Sequence, residues 1–210
     1  MTLNPVYKAL RLRKTTIARR EDIEDICREL KCNATNAVRN LQSNGYLVRI
    51  FRGIFYVRSL DEVKFDRNDL SAYDLLRKGM EMKRIDHWYL GLHSALKLNA
   101  LTHEVLNIEY VVNDTIFRQE PFAIASMNVK FIKMKKGLVD FGIITDPIPH
   151  SDPEKTILDI IYLSRYNGRK DAWIRSEVSE HLPNIDIKKA KKYCKRYPGT
   201  VGKLFEEINV

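Results

Sequence analysis

Ten residues, Ala34 to Ser43, combine an apolar stripe with side chains that can recognise nucleic acid. Ala34, Ala37, Val38 and Leu41 recur at the spacing of one helix face, which predicts a short amphipathic helix. The positions turned away from that stripe hold hydrogen-bonding side chains, namely Thr35, Asn36, Arg39, Asn40 and Gln42. Because such groups bond to base edges and phosphates, the pattern predicts a helix that binds in the major groove of duplex DNA.

A preceding helix and a tight connection are predicted to hold this reading helix in place. Residues 20–30 repeat the same spacing, with an apolar stripe made of Ile23, Ile26, Cys27 and Leu30. Residues 31–33 form a short connection, and Asn33 is a good N-cap for the second helix. Two short helices with matched stripes and a three-residue connection are typical of a helix-turn-helix.

A β-hairpin is predicted directly after the second helix. Residues 46–51 and 54–58 have strand patterns, and Arg52-Gly53 is the turn between them. A hairpin at this position is a wing, so residues 1–60 are predicted to form a winged helix-turn-helix domain that binds double-stranded DNA. The basic side chains that the wing offers to the DNA backbone or minor groove are Arg49, Arg52 and Arg58.

The distribution of charge agrees with this location. The chain has a net charge of +9, and residues 1–60 hold 12 Lys/Arg and 5 Asp/Glu, a net of +7. Residues 61–150 carry −1 and residues 151–210 carry +3. Basic charge concentrated around a reading helix favours phosphate contact. The alternative is a winged helix used only for protein contacts, in which the same polar residues form a solvated face.

The remainder of the chain predicts a second domain. Residues 61–69 are polar and are predicted to be a linker, and residues 70–210 to be a larger α/β domain with a mostly antiparallel sheet and C-terminal helices. The fold class expected for the whole chain is therefore α+β. Strands are predicted at 108–112, 122–125, 129–132 and 139–144, and helices at 70–82, 88–98, 151–164, 172–181 and 187–197.

The helix predicted at 187–197 is a candidate partner surface, because it concentrates lysines: Lys188, Lys189, Lys191, Lys192 and Lys195. Like charges at this spacing repel one another, and an acidic partner surface would relieve that repulsion. A second stretch of DNA phosphate is a rival partner. The alternative is a solvated helix face, since charge runs are common on surface helices.

The sequence contains no recognisable constellation of catalytic or metal-binding residues. Its five histidines form no H-x-x-x-H pattern with a neighbouring acid, and its glycines form no nucleotide-binding loop or nucleophile elbow. We therefore expect no catalytic residue, no metal, no cofactor and no enzymatic activity. Cys27 and Cys32 lack C-x-x-C spacing and Cys194 is distant, so reduced thiols are expected.

Two segments of the second domain carry a resemblance to a known family. Trp88 to Leu96, running into Leu101-Thr102, contains Gly-Leu-x-Ser-Ala-Leu, and Ser151 to Asp159 contains Ser-x-Pro-Glu-Lys. With the N-terminal domain in front of them, these segments resemble the AbiE-type (abortive infection) antitoxins, transcriptional regulators of viral defence systems. The family usually has a glycine just before the Leu-Thr pair, where this chain has Ala100.

This resemblance implies a function in two parts. The N-terminal domain would repress the antitoxin's own operon, with a homo-oligomer possible on DNA, and the C-terminal domain would neutralise a cognate nucleotidyltransferase-like toxin. A stand-alone transcription factor with an oligomerisation or sensing domain is the alternative, and an enzyme with an appended DNA-binding domain is a third. The chain has no run of 18 apolar residues and no secretory signal, so a cytoplasmic protein without a membrane partner is expected.

Overall fold

The computed structural model describes residues 3–105 and 107–209 and divides into two compact units. The first unit contains the chain up to Asp86 together with Ala123–Met127, and the second contains His87–Phe122 and the chain from Asn128 onward. Helices and two sheets give the α+β class that the sequence predicts. Most of the strand pairs are antiparallel.

Among the residues that the structure describes, no helix is both long and apolar enough to cross a membrane.

The first unit packs helices on a three-stranded sheet. Its helices are α1 (Pro5–Leu12), α2 (Arg20–Glu29), α3 (Ala34–Ser43), α4 (Leu60–Lys64) and α5 (Ala72–Met82). Its strands are β1 (Ile17–Arg19), β2 (Leu47–Phe51) and β3 (Ile54–Val57), in the antiparallel order β1-β3-β2. One buried apolar cluster joins the first three helices to this sheet through residues such as Leu10, Ile26, Leu41 and Val57.

The predicted linker at 61–69 is instead part of the folded first unit. Ser59 and Glu62 form a capping box that starts α4, because each side chain accepts a hydrogen bond from the other residue's backbone N–H. The Glu62 side chain is buried and also accepts hydrogen bonds from the Tyr56 hydroxyl and from the Asp69 N–H. Sequence polarity signalled a linker here, but the charged groups are held by internal hydrogen bonds.

The first unit also extends past the predicted boundary through α5. Gly79 lies so close to β2 that a Cβ atom there would approach Phe51 Cε2 at 2.5 Å and Ile50 Cγ2 at 2.7 Å. Ile50 and Phe51 are themselves buried. Helix α5 therefore packs on β2 and β3, which is why the unit continues to Asp86.

The larger sheet has six strands in the order β6-β7-β5-β4-β9-β8. They are β4 (Trp88–Leu90), β5 (Glu109–Asn113), β6 (Phe122–Ile124), β7 (Met127–Lys133), β8 (Ile143–Ile144) and β9 (His150–Ser151). The sheet is mixed: β4 runs antiparallel to β5 and β8 to β9, whereas β5 runs parallel to β7 and β4 to β9.

Among the described residues, the α-helices of the second unit are α6 (Leu92–Leu98), α7 (Pro153–Tyr166), α8 (Asp171–Ser179), α9 (Ile187–Cys194) and α10 (Gly199–Ile208). Helix α7 is central, because its buried residues Ile157, Leu158 and Ile161 belong to the apolar cluster that includes the helices around it. The helix predicted at 151–164 therefore exists, but it begins later than predicted, because Ser151 belongs to β9 and Asp152 is the N-cap.

The helix predicted at 88–98 is wrong in its first three residues. Trp88 to Leu90 form β4, and Leu90 pairs with Val111 of β5. Gly91 then separates strand from helix, and a Cβ atom there would lie 2.7 Å from Val112 Cγ2. A short apolar run fits either a strand or a helix, and the close approach of β5 at Gly91 decides for a strand. The strand predicted at 139–144 is shorter in the structure and contains only Ile143–Ile144.

Ala100 occupies the turn that ends α6, with φ of +56°. Leu101 N–H bonds to the Leu96 carbonyl at 2.8 Å across this turn. A left-handed conformation costs an alanine more than a glycine, so the glycine usual in the resembling family would suit this position better.

Replacement of the buried Glu62 tests whether the α4 segment is a stable part of the first unit. Burial alone would raise the pKa of Glu62, but the hydrogen bonds from Tyr56, Asp69 and Ser59 together hold the pKa below its ordinary value of 4.5. The ionised carboxylate therefore stabilises the fold above that value, and this stability is lost as the pH falls through the lower, folded-state pKa. We expect Glu62→Gln to lower the free energy of unfolding at pH 7 by about 1–3 kcal/mol.

The deficit of Glu62→Gln should shrink as the pH is lowered below about 4. Urea unfolding of the full chain at several pH values measures it. Glu81 is an exposed glutamate of α5, and Glu81→Gln is the control, with an expected change below about 0.5 kcal/mol. A Glu62→Gln variant as stable as the wild type at pH 7 would show that the α4 segment does not depend on this carboxylate.

Candidate nucleic-acid interface

Helix α3 is fixed by its N-cap and by its apolar side. The Asn33 side chain accepts a hydrogen bond from the Asn36 N–H at 3.0 Å, which caps the first turn. Ala37, Val38 and Leu41 are buried in the core of the first unit. The orientation of α3 about its own axis follows from these contacts, so its remaining side chains must face outward.

Most of the five polar side chains singled out on this helix lie at the surface: Thr35, Asn36, Arg39 and Asn40 are exposed, and Gln42 is half-buried. Two of them are held by neighbours within the first unit. Arg20 donates to Thr35 Oγ1 at 2.8 Å, and Asn4 Nδ2 donates to Asn40 Oδ1 at 3.1 Å. No hydrogen bond or ion pair engages the Arg39 guanidinium within residues 3–105 and 107–209, so it is available to a ligand.

The hairpin of β2 and β3 places two further arginines at the surface. Arg49 is exposed on β2, next to an irregularity in the strand register, and Arg52 is exposed in the turn. Gly53 takes φ of +77° in that turn, a conformation that glycine adopts without strain. The Arg20 N–H donates to the Gly53 carbonyl at 2.8 Å, which ties the hairpin to the start of α2.

The sequence predicts that Arg58 faces the DNA from the wing, but in the structure its side chain is engaged within the first unit. Its side chain is only 12% exposed, and its Nε donates to Asn68 Oδ1 at 2.6 Å. Its Nη1 lies 3.1 Å from Asp66 Oδ1. Arg58 therefore holds the segment after α4 against β3. This pairing is not predictable from the sequence pattern, because Asp66 and Asn68 lie in the polar stretch that indicates a linker.

Charge within the first unit is sorted between two helices. The five acidic residues of the first 60 all lie on α2: Glu21, Asp22, Glu24, Asp25 and Glu29. No Asp or Glu occurs from Leu30 to Leu60, the stretch that holds α3 and the hairpin. The stretch that forms α3 and the hairpin therefore contributes basic side chains and no carboxylate of its own, which suits a polyanion, while Glu24 of α2 pairs with Arg20 beside Thr35 at 2.8 Å.

The lysine-rich helix α9 lies in the second unit. One of the five lysines on it and at its C-terminal end is held in internal ion pairs, and the other four are exposed. Lys189 Nζ forms ion pairs with Glu154 Oε2 at 2.7 Å and Asp152 Oδ2 at 3.0 Å. Partial burial would lower the pKa of Lys189, but these two carboxylates outweigh it and raise the pKa above its ordinary value. The other four are exposed: Lys188, Lys191, Lys192 and Lys195. Lys189 thus has a structural role, and the candidate partner surface consists of the other four lysines.

A buried polar network occupies the centre of the second unit. Lys155 and Asp159, one turn apart on α7, are fully buried and lie 3.1 Å apart. Asp159 accepts hydrogen bonds from the Tyr89 hydroxyl at 2.7 Å and the Tyr197 hydroxyl at 2.6 Å. Lys155 Nζ also donates to the Leu138 carbonyl at 2.6 Å and lies over the Phe141 ring.

The protonation of this network follows from its burial. Burial is the largest influence on Lys155 and lowers its pKa, although the Asp159 carboxylate opposes the effect. Burial and Asp159 both raise the pKa values of Tyr89 and Tyr197, so the two hydroxyls remain hydrogen-bond donors. Both charged side chains have 0% exposure, so each is held within the core by the opposite charge of the other.

The polar role of the segment Ser151 to Asp159 is not evident from its sequence pattern. Its isoleucines and leucines indicate a buried helix and do not by themselves indicate that the lysine and aspartate within it form a pair. Their i,i+4 spacing was the available signal, because such residues meet on one helix face. The residues that complete the network, Tyr89 and Tyr197, come from distant parts of the chain and left no local pattern.

Within residues 3–105 and 107–209, no group of three or more His, Cys, Asp or Glu side chains is arranged to hold a metal ion.

Comparison with known proteins finds a related fold among solved structures. The chain is similar to the crystal structure of the RV2827C protein from Mycobacterium tuberculosis, with a TM-score of 0.58 and 14% sequence identity. The match covers 97% of this chain and 74% of that one. At this level of identity the likeness concerns the fold alone. Neither a family model nor a curated protein matches the sequence.

Breaking the buried ion pair Lys155–Asp159 should cost much more stability than breaking the surface ion pair Arg175–Glu207. Asp159→Ala leaves Lys155 buried without its carboxylate, so we expect the free energy of unfolding to fall by about 3–5 kcal/mol. Glu207 pairs with Arg175 at the surface, and Glu207→Gln should cost less than about 1 kcal/mol. Denaturant unfolding of the two variants measures both values. Equal stabilities would contradict a structural role for the buried pair.

Proposed function

We propose that the first unit contains a winged helix-turn-helix that binds duplex DNA, with α3 in the major groove and the hairpin of β2 and β3 as its wing. The observation that carries this proposal is the exposed face of α3: hydrogen-bonding side chains and an Arg39 that no other described residue engages, in a stretch from Leu30 to Leu60 that contains no Asp or Glu. Its ten residues span about 15 Å, and a helix of this kind fits a groove about 12 Å wide.

Each exposed side chain of α3 has a defined use in this arrangement. Arg39 can donate two hydrogen bonds to the N7 and O6 acceptors of a guanine, and Asn36 or Asn40 can pair in the same bidentate way with an adenine. Thr35 and Arg20 already form a hydrogen-bonded pair at the start of the helix, where phosphate contacts are typical. The helix would therefore supply both position and sequence preference.

The hairpin would supply contacts without sequence preference. Arg49 and Arg52 are exposed, whereas Arg58 is engaged by Asp66 and Asn68 and is left out of the proposed interface. Arginines directed at phosphates release counterions, so they increase affinity for any duplex and make it depend on salt.

We further propose that the chain is an antitoxin and autorepressor of the AbiE type, directed against a nucleotidyltransferase-like toxin. The resemblance of the segments Trp88–Leu96 and Ser151–Asp159 supports this part, together with the position of the basic unit in front of them. The exposed lysines of α9 are the proposed contact surface for the toxin. A stand-alone transcription factor is the alternative, and an adjacent gene for a nucleotidyltransferase distinguishes the two.

DNA binding is tested with a duplex selected from a random-sequence library by the full-length protein. Arg39→Ala should lower affinity for that duplex by about 1–3 kcal/mol and relax the base preference at one position. Arg52→Ala should weaken binding to the selected duplex and to unrelated duplexes alike. It should also reduce the slope of log affinity against log salt by about 1. Fluorescence anisotropy at several salt concentrations measures these effects.

The control for both variants is Arg28→Ala, which removes an exposed arginine of the acidic helix α2 that pairs with Asp25. Its DNA affinity should remain that of the wild type. If Arg39→Ala and Arg52→Ala also bind as the wild type does, the proposed interface is wrong.

The toxin surface is tested by growth rescue on co-expression with the product of the neighbouring gene. Replacement of Lys188, Lys191 and Lys192 by Gln should abolish rescue while operator binding stays unchanged, because these side chains make no internal ion pair among the described residues. The matched control is the same change at Lys133, Lys135 and Lys136, exposed lysines elsewhere in the second unit.

Three results are separable in this experiment. Loss of rescue with intact DNA binding supports the toxin surface, and a loss of DNA affinity with a shallower salt dependence indicates phosphate contact instead. Retained rescue in the α9 variant contradicts the proposed surface and leaves its lysines as a solvated face.

A further inference from the structure

Cys27 and Cys32 are brought together by the turn that ends α2. Leu30 caps the helix, and Lys31 takes φ of +50°, in the left-handed region. The Cys32 N–H donates to the Cys27 carbonyl at 2.9 Å, and the Lys31 N–H donates to the Arg28 carbonyl at 3.3 Å. These two bonds define a Schellman motif, in which the first and last residues lie in side-chain contact.

In most Schellman motifs that contact joins two apolar side chains, and here it joins two thiols. Both thiols are free. A spacing of five residues, which is not a redox motif on sequence grounds, therefore places Cys27 and Cys32 at the two ends of one turn, the positions whose side chains meet in this motif.

The two thiols differ in their access to solvent. Cys27 is 2% exposed within the core of the first unit, and burial, followed by the nearby Cys32 thiol, raises its pKa to about 11. Cys32 is exposed and lines an open cleft of about 420 Å³ whose other walls include Asn33 and Asn36. A small oxidant can reach Cys32, and Cys27 lies behind it as the second thiol.

We propose that Cys27 and Cys32 form an oxidant-sensitive dithiol, which closes to an intramolecular disulfide and thereby weakens DNA binding by α3. The oxidant class is a peroxide. The Cys32 thiolate attacks one peroxide oxygen and breaks the O–O bond, leaving a sulfenic acid at Cys32 and releasing one water from hydrogen peroxide. The Cys27 sulfur then displaces the sulfenic oxygen as a second water, so two thiols lose two electrons and two protons.

The effect on DNA binding rests on the proposed function and follows from the position of the turn. A disulfide holds its two sulfur atoms about 2 Å apart, closer than two unbonded thiols can lie, so its formation draws the backbone at Cys32 toward α2. Asn33 is the next residue, and its side chain caps the first turn of α3. Oxidation therefore shifts the start of the helix that carries Asn36 and Arg39.

The disulfide itself is tested on the full-length protein, independently of DNA. The reduced chain is treated with hydrogen peroxide, alkylated and digested with trypsin, which cleaves after Arg28 and Lys31 and so separates the two cysteines. Mass spectrometry should find the peptides Glu21–Arg28 and Cys32–Arg39 joined, and dithiothreitol should separate them. Cys194, in the second unit, should remain alkylated.

Cys27→Ser gives the reference for the first step, because Cys32 then has no partner and should proceed to sulfinic and sulfonic acid. Circular dichroism checks that this buried substitution still folds, and Cys27→Ala serves in its place if it does not. If peroxide carries Cys32 of the wild type to the same acids at the same rate, without joined peptides, the proposal is overturned.

The regulatory effect is measured by anisotropy with the duplex selected from the random library by reduced protein. Peroxide should lower the affinity of the wild type by about tenfold, and dithiothreitol should restore it. Cys32→Ser, which alters only an exposed side chain, should keep its affinity under peroxide, and Cys194→Ser should respond as the wild type does. Unchanged affinity of the disulfide form overturns the regulatory part. Failure to select any duplex removes the DNA-binding function and this part with it, while the peptide result decides the disulfide.

Discussion

The proposed DNA-reading face of α3 depends on the burial of only one side of this helix. Ala37, Val38 and Leu41 are held in the core of the first unit, and the cap at Asn33 fixes where the helix begins. Once that side is buried, the polar side is exposed without further design, because residues one position apart on a helix face different directions. The proposed reading face is thus a consequence of packing, and any change that loosens the apolar stripe would also disorder the face that carries Arg39.

The helix at Ala34–Ser43 was predictable because its periodicity and both of its ends are encoded locally. The run at 88–98 was not, since the choice between strand and helix is made by β5, which lies against Gly91. Polarity alone indicates a linker at 61–69, although the capping box is present in the sequence as Ser59 and Glu62. Arg58 bonds to Asp66 and Asn68, eight and ten residues later, and a pairing between an arginine and polar residues of a loop leaves no periodic signal in the sequence.

Charged side chains in this chain fall into two physical classes. Some are held by opposite charges inside a unit, such as Lys155 with Asp159 and Lys189 with Glu154, and their replacement tests stability. Others, such as Arg39, face solvent without an internal carboxylate in the described structure, and their replacement tests binding. Net charge does not distinguish the classes, whereas the ion pairs do, and this is why only some of the basic residues are assigned to an interface.

The central claim, that α3 lies in the major groove, is tested most directly by dimethyl sulfate protection on a duplex selected by the full-length protein. This reagent methylates guanine N7, an atom in the major groove that a bidentate arginine would cover. The account predicts protection of at least one guanine by the wild type and loss of that protection in Arg39→Ala, at protein concentrations that saturate both. Equal protection by the two proteins, or binding by the wild type with every N7 still reactive, would contradict it.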